Sequence, residues 1–262
     1  MEELIPVLDW EEVTDRICSF IREQMVKSGR NRLVIGVSGG LDSSTSAYLG
    51  VKALGRDHLV PFILPYRTSS PESLEDARLV CRELGLEPRT VEITPMVDAY
   101  FSRFPGADRR RRGNFMARMR MAVLYDQSEV LEALVMGTGN RTEALLGYTT
   151  LWGDMACAFT PLGGLYKTQV RQLARHLGVP ARIIDKPPTA DLWEGQTDEG
   201  EMGVTYRDAD AILYRLVDLQ MGVEQVVGEG FPQELVERIR TMVERSAYKR
   251  SMPPYPVIPV QR

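Results

Sequence analysis

The chain has 262 residues, 44% of them apolar, a formal net charge of −4 and a sequence pI near 5.5. That length buries a substantial core without disulfides or structural metal, and the acidic balance excludes a general nucleic-acid-binding role. No apolar run approaches the ~20 residues of a membrane span. The N-terminus lacks the basic and apolar regions of a secretory signal, and Cys18, Cys81 and Cys157 form no C-x-x-C pair, so a reducing, cytoplasmic setting is expected.

Within residues 1–29, Val13, Ile17, Phe20, Ile21 and Met25 recur at helical spacing, and Gly29 supplies the stop. Leu33 to Val37 predicts the first strand, followed by a Ser/Gly turn and a helix over Thr45 to Leu54. His58 to Leu64 predicts the second strand, with Pro61 marking an edge or a bulge. Ser70, Pro71 and Glu72 form a helix start, and that helix runs to about Leu84. Arg89 to Ile93 predicts a third strand, Thr94-Pro95 opens a helix ending near Phe104, and Gly113 to Gln127 predicts another helix. Leu134 to Gly137 is the fourth strand. Strands separated by helices imply an α/β fold with a doubly wound parallel sheet, whose ligands sit beyond the carboxyl ends of the strands.

The second half changes character. Phe159 to Gly164 reads as irregular, and Leu165 to Leu177 as an amphipathic helix closed by Gly178 and Pro180. Lys186 to Gly203, rich in Pro, Gly, Asp and Glu, predicts no regular structure. Ala209 to Leu219 and Pro232 to Ala247 predict helices, and Met252 to Pro256 cannot be one. One domain over residues 1–262, with a helical C-terminal part, is expected.

Ser38, Gly39, Gly40, Leu41, Asp42, Ser43 and Ser44 form the most informative stretch. Adjacent glycines let backbone N–H groups converge, a helix N-terminus adds more, and the hydroxyls of three serines and Thr45 complete a cradle for a polyphosphate. A carboxylate in such a cradle repels phosphate unless a metal lies between them, so Asp42 reads as a Mg²⁺ ligand. Neither a Walker A loop nor G-x-G-x-x-G is present. The stretch resembles the pyrophosphate loop, S-G-G-x-D-S, of the ATP pyrophosphatase families, which cleave ATP between its α and β phosphates.

Gly137 to Glu143 is a second glycine-rich turn after a strand, and Glu143, one turn into the next helix, is placed to face Asp42 across the sheet top. From Gly137 onward the sequence resembles NAD⁺ synthetase, above all in GTGNRTEALLGY, PLGGLYKTQVRQLARHLGVP, IIDKPPTADLWEGQTDEGEMGVTY and the late YKR, with LPYRTSSPES matching in the first half. The likeness runs from about Trp10 to Pro254. It implies an adenine-nucleotide α-hydrolase-like fold and ATP-dependent amidation of deamido-NAD by ammonia through an acyl-adenylate, with release of AMP and pyrophosphate. It implies that Ser38 to Ser44 hold the ATP phosphates, that Asp42 and Glu143 bind Mg²⁺, and that Thr138, Lys167 and Thr189 contact ATP. Arg67 lies where the family binds adenine with backbone. Arg118, Tyr125, Asp154, Tyr248 and Lys249 fall at deamido-NAD or closing positions, with Tyr248 replacing a histidine. Lys167 is a cation for developing negative charge, and Asp42, Glu143 and Lys167 form the catalytic set.

The family is homodimeric, with substrate near the subunit interface. Leu151 and Ala158 replace a lysine and an aspartate that many ammonia-dependent members carry, and the local wording follows the synthetase domain of glutamine-dependent members. No glutaminase domain is expected, so ammonia comes from solution or from a separate subunit. A paralogue amidating another carboxylate, or a silent nucleotide-binding protein, are the rival readings.

Other features have plainer readings. Arg109 to Arg112 reads as a solvated loop, with contact to an anionic dinucleotide or to the other subunit as the alternative, the acids from Asp191 to Glu201 as a mobile solvated lid, Trp193 as a loop anchor in preference to a cap on a ligand, and Cys157 as an inert thiol. His58 and His176 lie near no catalytic motif, and His176 suits a helix C-terminus.

Overall fold

The computed structural model describes residues 4–193 and 195–258. Met1 to Glu3, Glu194 of the acidic segment, and Pro259 to Arg262 lie outside the described residues. Helix α1 (Trp10–Ser28) is opened by Asp9, whose carboxylate accepts from the Glu11 and Glu12 amides, and closed by Gly29 at φ 68°. Then follow β1 (Arg32–Gly36), α2 (Leu41–Leu54), β2 (Leu59–Ile63), α3 (Pro71–Glu83), β3 (Arg89–Thr90), α4 (Thr94–Phe101), α5 (Arg109–Val130) and β4 (Ala133–Val135). The remainder is helical: α6 (Arg141–Leu146), α7 (Lys167–Leu177), α8 (Ala181–Ile184), α9 (Asp198–Met202), α10 (Tyr206–Leu213), α11 (Val223–Gly228) and α12 (Gln233–Ser246).

All strand pairs are parallel, in the order β3-β2-β1-β4. Alternation along the strands divides the core. Leu33, Ile35, Leu59 and Ile63 face one apolar cluster with residues of α1, α2, α3 and α7, and Val34, Phe62, Ala133 and Val135 face a second with α4 and α5. A third cluster is formed by α6, α10, α11 and α12. The chain winds outward from β1 through β2 to β3, then returns to place β4 on the other side of β1. The switch point is therefore at the carboxyl ends of β1 and β4, where the two glycine turns begin.

Several sequence expectations need correction. Pro61 lies in an interior strand, paired in register with Ile35. It is tolerated because the Phe62 carbonyl faces β1, accepting from Val37 N at 2.8 Å, so the Pro61 nitrogen points to the other side, and β3 pairs only from Phe62 onward. β3 is shorter than Arg89 to Ile93, although Val91 N and Ile93 N still donate to Ile63 and Pro65 carbonyls. Arg109 to Arg112 is the first turn of α5, not a loop: Asp108 caps it by accepting from Arg111 N at 2.7 Å. Arg111 and Arg112 cover the rings of Phe104 and Phe101, at 4.8 and 4.6 Å from their centroids. The segment Lys186 to Gly203 contains α9, and α10 starts earlier than Ala209, with a π-turn over Tyr214 to Asp218 following it.

Candidate functional site

α2 begins at Leu41 with Gly40 as N-cap and no capping side chain, leaving its first amides free toward a cavity of about 990 Å³. Ser38, Gly40, Leu41, Asp42 and Ser43 line it. Gly39 turns the chain instead: at φ +82° it backs onto α3, and a Cβ there would lie 2.9 Å from Ala77 N and closer still to the Ser73 carbonyl. The expected set of hydroxyl donors is smaller than the sequence implied. Ser44 and Thr45 are fully buried and donate to the Gly40 and Leu41 carbonyls, each at 2.7 Å, so only Ser38 and Ser43 remain at the cavity.

Three elements bring the charged groups together. Asp42 lies in the first turn of α2, Glu143 in the first turn of α6, and Lys167 at the first position of α7. Lys167 Nζ donates to Asp42 Oδ2 and, at 2.9 Å, to Glu143 Oε1. Asn140 links the Asp42 carboxylate to the backbone of Glu143: its Nδ2 donates to Asp42 Oδ1 at 2.9 Å, and its Oδ1 accepts the Glu143 amide at 3.0 Å, capping α6. Burial pushes the Glu143 carboxyl up, against the pull of Lys167. Burial pulls the Lys167 ammonium down, and the two carboxylates together outweigh it, so its net shift is upward. The arrangement is a charged lysine between two carboxylates.

Whether these residues fit Mg²⁺ follows from the donor set. Two carboxylates already share one cation, the Lys167 ammonium, so they converge on a common point. Among the described residues no cluster of three or more His, Cys, Asp or Glu could hold a metal unaided. Two carboxylates, with further oxygens from phosphate and water, suit a hard cation that retains part of its hydration.

Thr138, Thr189, Arg118, Asp154, Tyr248 and Lys249 all line the same cavity. Arg67 lines an adjoining depression and pairs with Asp98 at 3.0 Å, while its amide donates to Thr94 Oγ1. Arg118 donates to the Leu151 carbonyl at 3.0 Å, so the position that lost a lysine is tied to Arg118 through backbone. Asp154 accepts Thr150 N at 2.6 Å and is pushed up by burial, so much of its hydrogen-bonding capacity goes to its own loop. Lys249 donates to the Gly147 and Thr149 carbonyls at 2.9 and 2.8 Å. One predicted residue, Tyr125, stands apart from the cavity, as does the position where Ala158 replaces the aspartate. Tyr125 is 40% exposed on the outside of α5, and Ala158 extends the sheet, donating to the Val135 carbonyl.

The described acids of this segment are tied to protein donors, although Glu201 is itself exposed. Asp191 accepts Ser70 N at 3.0 Å, Asp198 is buried and accepts from Tyr206 and Tyr148, and Glu201 accepts from Gln196 and Tyr148. Leu192 and Trp193 pack on α5 at Gly113, where a Cβ would lie 3.4 Å from the indole, and Trp193 also lines the cavity. Burial raises the Cys157 thiol, in keeping with an inert group.

Sequence reasoning missed Asn140, Tyr206, Tyr148 and Arg120. Asn140 was legible as the N-cap preceding Arg141. Tyr206 carries no local signal, because it reaches Glu143 only through the packing of α10, whereas Tyr148 follows α6 directly and lines the cavity from there. Arg120, whose Nε donates to the Leu64 carbonyl at 3.0 Å, sits one turn from Met116 in what reads as an ordinary core helix. Arg109 and Arg110 also line the cavity.

A cavity at the switch point of a doubly wound sheet, floored by an uncapped helix N-terminus and lined by Asp42, Glu143 and Lys167, defines a nucleotide-binding α/β protein. The profile of the NAD synthase family matches residues 13–253, and the chain belongs to that family. It is 48% identical over 246 residues to an NH(3)-dependent NAD(+) synthetase of Fusobacterium nucleatum, covering 94% of this chain and 95% of that one. Among solved structures it is similar to an NMN synthetase from Francisella tularensis, with TM-score 0.85, 33% identity and coverage of 96% and 100%. It also resembles an NH3-dependent NAD synthetase from Campylobacter jejuni in complex with the nitrate ion, with TM-score 0.82, 33% identity and the same coverage.

Proposed function

We propose that the chain catalyses the ATP-dependent amidation of deamido-NAD to NAD⁺ by ammonia, releasing AMP and pyrophosphate. The observation that carries this reading is the meeting of Asp42, Glu143 and Lys167 between the two glycine turns. The 48% identity to an NH(3)-dependent NAD(+) synthetase over 94% of the chain supports the substrate.

The nicotinate carboxylate is a poor acyl donor. One of its oxygens attacks the α-phosphorus of ATP, the bond from that phosphorus to the bridging oxygen breaks, and pyrophosphate leaves. Ammonia then adds to the acyl carbon, AMP departs from it, and the nitrogen loses a proton. Ser38, Ser43 and the amides opening α2 hold phosphate oxygens, and Thr138 and Thr189 contact the nucleotide. Lys167 neutralises charge that develops on the phosphates. Asp42 and Glu143 hold Mg²⁺, which when bound supplies charge neutralisation on the phosphate oxygens. Arg67 marks the adenine end. Arg118, Asp154, Tyr248 and Lys249 line the deamido-NAD part, and most of the remaining rate comes from orientation. A homodimer accounts for Tyr125, which lies outside its own subunit's cavity and would meet substrate across the interface.

A second reading has one observation behind it: the likeness to an NMN synthetase, which makes a mononucleotide carboxylate an alternative substrate for this scaffold. The test is a direct comparison. With ATP, Mg²⁺ and ammonium, deamido-NAD is expected to give AMP at a kcat/KM well above that of nicotinate mononucleotide. The reverse order would replace this reading with the second.

A further inference from the structure

Asp210 lies on α10, in the C-terminal helical layer, and is 1% exposed. It touches none of the cavity-lining groups described above, yet both of its oxygens are committed to the elements that carry them. Oδ1 accepts from Thr142 Oγ1 at 2.5 Å, and Oδ2 accepts from Thr168 N at 2.8 Å and Thr168 Oγ1 at 2.7 Å. Thr142 Oγ1 in turn accepts from Lys167 N at 2.9 Å. The first two amides of α7 are therefore both satisfied by this cluster, one by Thr142 and one by Asp210.

Thr142 precedes Glu143, and Thr168 follows Lys167. The carboxylate thus fixes the backbone beside each of the two groups that must meet at the phosphates. Burial pushes the Asp210 carboxyl up to about 6, while the Thr142 and Thr168 hydrogen bonds oppose it. Its neighbours at Oδ1 and Oδ2 are arranged as donors, which favours the ionised form. A negative group at the N-terminus of α7 is also favourably placed against the helix dipole.

We infer that Asp210 is a positioning residue for the amidation, locking the start of α7 to α6 so that Lys167 and Glu143 share one point. This rests on the roles proposed above for those two residues. An apolar residue would fill the same space between α6, α7 and α10, but it would leave the Thr168 amide unpaired and α7 free to rotate about its first turn.

The test uses the full chain with three substitutions, Asp210→Asn, Thr142→Val and Thr142→Ser, with Lys167→Ala as reference. Rates are expressed per molecule competent to bind ATP, which removes any loss of folded protein from the comparison. Asp210→Asn and Thr142→Val are expected to lower kcat by about 10–100-fold, as for groups that orient the side chains holding a metal, with KM for deamido-NAD changed by less than about threefold. Thr142→Ser, which keeps the hydroxyl, restores most of the rate. If Asp210→Asn does not fold, Thr142→Val carries the test, since it removes one hydroxyl at nearly constant volume. An inactive Lys167→Ala together with Asp210→Asn and Thr142→Val at wild-type kcat overturns the inference alone. A fully active Lys167→Ala overturns the roles on which it rests, and the inference with them.

Discussion

Lys167 Nζ lies 2.9 Å from Glu143 Oε1, with the Lys167 side chain 5% exposed, and the same ammonium is bonded to Asp42. One cation holds together carboxylates from two different helices. Replacing it leaves two negative groups facing each other in a mostly buried site. Lys167→Met is therefore expected to cost about 3–5 kcal/mol of stability and to abolish measurable turnover. Thermal unfolding with and without Mg²⁺ checks it. Mg²⁺ should raise the melting temperature of the variant more than that of the wild type, and equal shifts would refute a shared cation site.

Asn140 is bonded to both partners of that lysine. Asn140→Ala removes the donor to Asp42 and the cap on α6. The expected result is a 10–100-fold weaker apparent affinity for Mg²⁺ and a loss of about 1 kcal/mol of stability from the missing cap. Mg²⁺ titration of AMP release gives the first quantity and chemical denaturation the second. An unchanged Mg²⁺ dependence would show that Asn140 is a cap and nothing more.

Gly39 has no room for a side chain, because α3 lies directly behind it. Gly39→Ala should displace the turn and expose or bury the wrong amides, raising KM for ATP by at least about tenfold at a strain of about 1–3 kcal/mol. Gly164, which has open space around its Cβ position, is the control and should tolerate alanine. Equal effects at both positions would contradict the close packing of the phosphate turn on α3.

Ammonium should serve as nitrogen donor far better than glutamine. Glutamine hydrolysis at a cysteine needs an activated thiolate, and burial raises the thiols of Cys18, Cys81 and Cys157. Amidation rates with each donor, after removal of contaminating glutaminase, decide the point. Comparable rates would show an activated nucleophile that the described cysteines do not supply.

The sheet and both glycine turns were legible because their signals are local. A β-branched run ending in Ser38-Gly39-Gly40 can be read from its own residues, and so can Gly137 to Glu143. What escaped depended on distant neighbours. Ser44 reads as a phosphate donor until its helix is seen to begin at Leu41, which makes its hydroxyl a partner for Gly40. The arginine run reads as a loop unless Asp108 is recognised as a cap and Phe101 and Phe104 as the rings it covers. Pro61 reads as an edge residue because composition does not reveal that β3 starts one residue later. Asp191, Asp198 and Glu201 look solvated by composition, yet their partners, Ser70, Tyr206 and Tyr148, come from other parts of the chain.

The central claim is that the carboxylate of deamido-NAD attacks the α-phosphate of ATP in the cavity floored by Asp42, Glu143 and Lys167. Deamido-NAD labelled with ¹⁸O in both carboxylate oxygens tests it most directly, with ATP, Mg²⁺ and ammonium and mass analysis of the products. The account predicts NAD⁺ with one ¹⁸O in its amide, AMP with one ¹⁸O on its phosphate, and unlabelled pyrophosphate. Formation of ADP with labelled inorganic phosphate, or of AMP without label, would contradict it.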